Sequence, residues 1–180
     1  MNLSRLIPSS LLAAGLLLAA NARASDALVT FDDMPAASSG QVVDINLPHS
    51  LLVVAALATD KSDHETAELL RHLQSVRVNV VKLDAGNRAE AIEHIRRVRE
   101  SLKDWRKVVS VRQPNGEDVD IRMKCRADDT IEGFVITVIQ PDQNAVFINV
   151  VGDLKPDQLG RIVAHFQIPG MPSLAAPKHA

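Results

Sequence analysis

Between residues 107 and 151 the apolar side chains recur with a period of two, and turn residues cut that stretch into four pieces. Successive side chains of a strand point to opposite faces, so this rhythm requires a sheet. Lys107 to Arg112 is the first piece, and Pro114-Asn115-Gly116 turns the chain after it. In the second, Val119, Ile121, Met123 and Cys125 alternate with Asp120, Arg122, Lys124 and Arg126. Asp128-Asp129-Thr130 supplies another turn, and Ile131 to Gln140 is the third piece. Pro141-Asp142-Gln143-Asn144 turns the chain once more. Ala145 to Val151 is apolar on both faces except at Asn149, the pattern of a strand covered on both sides. Connections this short leave no room for a crossover, so neighbouring pieces must run antiparallel. The expectation is a four-strand C-terminal meander.

The residues before the meander alternate between helix and strand signals. Gln41 to Leu47 places Val43, Ile45 and Leu47 on one face and reads as a strand that Pro48 ends. Ser50 to Ala58 is a continuous apolar run, read as a short buried helix because Leu and Ala dominate it. Ser62 with Glu65 forms a capping box that predicts a helix from about Asp63 to Ser75, its apolar face made by Leu69, Leu70 and Leu73. Val76 to Leu83 is rich in β-branched residues and reads as a strand. Asn87 is positioned to cap a helix over Arg88 to Asp104, where Ala91, Ile95, Val98, Leu102 and Trp105 make one stripe. Glu93 with Arg97, and Arg96 with Glu100, lie one turn apart on its other faces. After the meander, Asp153 is the expected cap of a last helix, with Leu159, Ile162, Val163 and Phe166 on its buried side. The sum is an α+β domain, a mainly antiparallel sheet with helices packed on one side.

The ends of the chain carry an address. Arg5, the apolar run from Leu11 to Ala20 and Ala22-Arg23-Ala24 read as a secretory signal peptide over residues 1–24, cleaved after Ala24. The run is shorter than the ~20 apolar residues that span a bilayer, which disfavours an uncleaved anchor. Residues 25–40 read as an N-terminal arm and linker, 41–167 as a single domain, and 168–180, with Pro169, Pro172 and Pro177, as a disordered tail. The expected location is the periplasm. The formal charge of −2 becomes more acidic once Arg5 and Arg23 leave with the leader, so neither charge nor address suggests a nucleic-acid partner. Cys125 is the one cysteine, which excludes an intrachain disulfide and any multi-cysteine metal site. An aromatic content of 3 %, without tyrosine, is poor material for a stacking platform.

Three groups of residues offer chemistry. His64, Glu68 and His72 recur at every fourth position and share a helix face, the donor types of a zinc site; a solvated face is the simpler reading. Cys125 shares its strand face with Val119, Ile121 and Met123, and Lys124 and Arg126 point the other way, so it reads as an inert thiol. Arg122, Lys124 and Arg126 stripe the outer face of one strand, with Arg112 across from them. That stripe is either a solvated face or a contact for an acidic protein surface or an anionic lipid. As a contact it makes a definite expectation: Arg122→Glu with Lys124→Glu leaves folding intact and abolishes partner capture. Asp128, Asp129 and Asp142 belong to turns, and no nucleophile elbow, P-loop or glycine fingerprint is present.

Phe31-Asp32-Asp33, then Val42 to Leu47 with Leu51-Leu52, then Val76-Arg77-Val78, Trp105, and Val146-Phe147-Ile148-Asn149-Val150-Val151-Gly152-Asp153-Leu154 follow one another in a set order. In that order, behind a leader, the chain resembles the domain of unknown function 4252 family of exported bacterial proteins, over about residues 28 to 167. The resemblance implies no catalytic residues and no cofactor. It implies a setting near extracytoplasmic-function sigma factors, and so a role in envelope signalling or stress response. Together these readings favour a non-enzymatic envelope domain with a protein partner. The alternative is a module binding an anionic lipid or small molecule, and a metal-dependent enzyme built on His64, Glu68 and His72 comes last.

Overall fold

A computed structural model describes residues 26–31, 34–36, 40–141, 143–155 and 158. The expected leader, the body of the last helix and the tail lie outside the described residues, as do Asp32, Asp33 and Asp142. In chain order the elements are β1 (Val42–Pro48), α1 (His49–Thr59), α2 (His64–His72), β2 (Leu73–Lys82), α3 (Arg88–Ser101), β3 (Arg106–Arg112), β4 (Asp118–Cys125), β5 (Ile131–Ile139) and β6 (Asn144–Leu154). The strands form one sheet in the order β1-β2-β6-β5-β4-β3, and every neighbouring pair is antiparallel. The class is α+β as expected. The sheet has six strands, because β2 and β1 continue it beyond β6. Among the described residues, no helix is long and apolar enough to cross a membrane.

The helices do not share one side. β5 shows why, since its alternate residues feed two cores. Phe134, Ile136 and Val138 pack with Val76, Val119, Ile121, Ile148 and Val150 under Leu52 of α1 and Leu69 and Leu70 of α2. Val135 and Ile139 point the other way and pack with Ala145 and Phe147 under Ala91 and Ile95 of α3. A strand apolar on both faces needs cover on both, and one layer of helices cannot supply it. The N-terminal arm completes the α3 side. Ala27 and Phe31 are buried, and the Phe31 and Phe147 rings stand 4.5 Å apart between centroids. Asn149, fully buried in β6, accepts from Val29 N at 2.9 Å and donates to Ala27 O at 3.1 Å and Phe134 O at 3.2 Å. Ala27 and Phe31, in the segment expected to be a linker, are therefore part of the core.

Several boundaries differ from the expectation, each for a visible reason. Asp63, not Ser62, caps α2: its carboxylate accepts from Thr66 N at 3.0 Å, while Ser62 Oγ donates to Thr59 O. The helix stops at His72 instead of Ser75, since Leu73 already pairs with Gly152 in the sheet. A Cβ at Gly152 would stand 2.5 Å from His72 O, so this close crossing requires glycine. Asn87 does not cap α3 with its side chain. Its amide instead clasps the preceding loop, donating to Lys82 O and Pro35 O and accepting from Asp84 N. Asp153 belongs to β6, which runs on to Leu154, and does not begin a helix.

The apolar run of α1 is helical but not buried throughout. Only Leu52 and Ala56 are buried, while Val54 is 62 % and Leu57 65 % exposed. Composition indicated burial here; with apolar residues on every side, it could not say which of them face solvent.

Candidate functional site

Two members of the basic stripe, Arg122 and Lys124, do not lie on an open outer face. Strand alternation places Arg122 and Lys124 on the side covered by α3 and the arm. Arg122 is 13 % exposed. Its guanidinium donates to Arg99 O at 2.5 Å and Leu102 O at 2.9 Å, and through Nε to Asp120 Oδ1 at 2.8 Å. A helix leaves its last carbonyls unpaired and carries partial negative charge there, so Arg122 closes α3 as a C-terminal cap supplied from another strand. Beside it, Arg99 donates through Nε to Thr137 Oγ1 at 2.8 Å and pairs with Asp118 at 2.6 Å. Burial pushes the Asp118 carboxyl up, but Arg99 and Arg112 outweigh it and hold the pKa below the ordinary carboxylate value.

The other members of the stripe diverge. Lys124 stands 3.7 Å from Asp26 and 3.8 Å from Glu132. Arg126 pairs with Glu132 at 3.5 Å and also with Asp153. Arg112 reaches Asp118 at 3.1 Å but stays 79 % exposed. Each of the four thus has an acidic neighbour. Arg112 and Arg122 line one groove, between α3 and β3–β4, and Lys124 lines a separate pocket with Trp105 and Arg106. The groove measures about 610 Å³, and Arg96, Arg99, Lys103 and Lys107 join the two arginines against Glu100, Asp118 and Asp120. Strand periodicity did not signal this groove, because it arises where a helix crosses the strands.

His64, Glu68 and His72 share the α2 face, yet each is engaged separately. His64 Nδ1 lies 2.7 Å from Asp60 Oδ1, and Glu68 pairs with Arg71. His72 Nδ1 contacts the backbone O of Glu68 at 2.8 Å. Hydrogen bonds from Arg71 and then His64 hold the Asp60 carboxyl below its ordinary pKa. Among the described residues, no three His, Cys, Asp or Glu side chains stand together as a metal-binding group. Cys125 is half-buried and packs against the core beneath α1 and α2.

A second cleft, about 470 Å³, lies under the arm, where Phe31 and Met34 overhang Asp44, Asn46, Arg77 and Asn79. Arg77 Nε and Asn79 Oδ1 are buried there without a partner among the described residues.

The two sheet edges differ sharply. β3 carries Arg106, Lys107 and Arg112, and its pairing shifts register between Lys107 and Val109. Cationic side chains and bulges are standard means of keeping an edge from pairing further. β1 has neither device. Its ladder to β2 runs unbroken from Val42 to Pro48, and Asp44 is its one charged residue. Val42, Val43 and Ile45 are all exposed, and the bare flank of α1, with Leu51, Val54 and Leu57, follows directly in the chain. Exposed apolar side chains thus follow one another along the chain from β1 into α1, with Val42 on the arm side of the sheet and Val43 and Ile45 on the α1 side.

The family model described as Domain of unknown function (DUF4252) matches residues 38–162, and the chain belongs to that family. No curated protein and no solved structure matches the chain.

Proposed function

We propose that this family member is an exported, non-enzymatic envelope domain that acts by binding protein, and that its contact surface is the β1 edge with the exposed flank of α1. One observation carries the reading: the β3 edge is guarded by cations and a register shift, and the β1 edge is not. An edge strand offers a row of backbone donors and acceptors to an incoming strand. The stripe of Arg112, Arg122, Lys124 and Arg126 recedes as a contact surface, since Arg122 is occupied with α3. In-cell photo-crosslinking tests the assignment. A crosslinking residue at Ile45 or Leu57 captures protein, and one at Lys124 does not; capture at Lys124 alone overturns it.

A second reading rests on the groove between α3 and β3–β4, where six basic side chains meet three acidic ones. That excess suits an anionic lipid headgroup or a small anion. Flotation with anionic vesicles, weakening with salt, supports it; absence of flotation at low salt removes it.

A further inference from the structure

We infer that the occupant of the β1 edge is a second copy of this chain, paired antiparallel about a two-fold axis through Ile45. The inference rests on the edge reading above and specifies the partner. It begins with which backbone groups face outward. Lys82 N donates to Gln41 O at 3.4 Å, and Val42 stands opposite Val81. Hydrogen-bonded and non-hydrogen-bonded pairs alternate along an antiparallel ladder. Val43, Ile45 and Leu47 therefore bond inward to β2, and Val42, Asp44 and Asn46 present N–H and C=O to the open edge.

A two-fold interface uses the same patch twice, so the strand must complement its own reverse. The segment Val42 to Pro48 does so about Ile45. Val43 then opposes Leu47 of the other copy, and Asp44 opposes Asn46. An axis through Asp44 is disfavoured, because it sets that carboxylate against itself. With Ile45 on the axis, Asp44 and Asn46 form the hydrogen-bonded pairs, and Val42 N–H reaches Pro48 O. About six backbone hydrogen bonds result. Ile45 meets its own copy at the closer, non-hydrogen-bonded spacing. Val43, Ile45 and Leu47 share the face over which α1 and α2 pack, since they stand opposite Val80, Val78 and Val76. Joining two such edges makes that apolar row continuous across the axis and covers side chains the single chain leaves exposed.

The test uses the protein purified as its cell processes it. Sedimentation velocity at micromolar concentration reads twice the chain mass. Asn46→Pro removes an outward N–H and none bonded to β2, so it reads the single-chain mass with an unchanged far-ultraviolet circular dichroism spectrum. Should that variant fail to fold, a second set decides. In a Cys125→Ser background, Ile45→Cys crosslinks to its copy on oxidation, because a non-hydrogen-bonded antiparallel pair sets Cα atoms ~4.5 Å apart. Asp44→Cys, opposite Asn46, does not crosslink. A single-chain mass at all concentrations overturns the inference, as does a dimer that keeps its mass with Asn46→Pro and fails to crosslink at Ile45. If the chain is monomeric but photo-crosslinks to a different protein at Ile45, the second copy is refuted and the edge reading stands. If it is monomeric and nothing is captured there, both fall.

Discussion

Replacing Arg122 with alanine tests whether the end of α3 is held from β4. The variant loses two bonds to the carbonyls of Arg99 and Leu102 and the 2.8 Å bond to Asp120. Asp120 is buried, and its remaining cation, Lys107, stands 3.7 Å away. Removing one partner of a buried ion pair costs ~3–5 kcal/mol, because the other charge stays behind without compensation. Lys107 and entering water offset part of that, so we expect a loss of ~2–4 kcal/mol. For a domain of this size each kcal/mol lowers the melting temperature by ~2–4 °C. Lys124→Ala is the control. Its acidic partners stand 3.7 and 3.8 Å away, and such long pairs reached by solvent contribute ~0–1 kcal/mol. Urea unfolding followed by far-ultraviolet circular dichroism separates the two, and Arg122→Lys falls between them, keeping the charge without the forked donor. Equal midpoints for Arg122→Ala and Lys124→Ala refute the capping role. They would also restore the expectation that charge reversal at both sites leaves folding intact.

Asn149→Ala removes three hydrogen bonds to the arm and β5, two of them fully buried, and leaves Val29 N without its acceptor; the expected loss is ~2–3 kcal/mol, with faster proteolysis before residue 40. Gly152→Ala brings a methyl to 2.5 Å from His72 O and 2.8 Å from Leu73 Cα, both backbone, so the crossing must open; a drop of ~1–3 kcal/mol in urea titration is expected. The lowered pKa of Asp118 means its contribution is complete above the unfolded value near 3.9 and is lost as pH falls through the folded value. The melting temperature of the wild type therefore falls faster below about pH 4 than that of Asp118→Asn, and parallel curves contradict the pairing.

Strand periodicity made the meander legible, because alternation at Val119, Ile121, Met123 and Cys125 needs no tertiary context. The same alternation separated Arg122 from Ile121 but could not say what covers Arg122's side. That depends on α3, whose apolar stripe has no address in the sequence. Pro48 gave a local boundary signal and Ser62 with Glu65 placed the start of α2 to within a residue of its true cap, Asp63, whereas the early stop at His72 depends on Gly152, far along the chain. The spacing of His64, Glu68 and His72 correctly placed them on one helix face. Their separate hydrogen bonds to Asp60, Arg71 and the Glu68 carbonyl were beyond any spacing argument. The β1–α1 surface was present in the sequence as Val42 to Leu47 and the apolar run after Pro48, but apolar composition indicates burial and does not distinguish a core from an interface.

Asp44 offers a sharper test of that surface. In the folded chain β2 holds one edge of β1, which leaves one edge for closed pairing; once β1 comes away from β2, a strand carrying Val42, Val43 and Ile45 risks open-ended stacking with copies of itself. A parallel, in-register stack sets Asp44 on Asp44 at every layer, at a spacing of ~4.8 Å, and like charges so close repel. The antiparallel pair about Ile45 sets the same carboxylate against Asn46 and incurs no such repulsion. One acid thus separates the closed dimer from the open stack without opposing the dimer. Asp44→Asn is therefore expected to sediment as a dimer, like the wild type, and to scatter light on prolonged incubation at concentrations where the wild type stays clear. If it stays clear as well, Asp44 is not the residue that discriminates. If it becomes monomeric, the carboxylate contributes to the contact itself and does not act only against stacking.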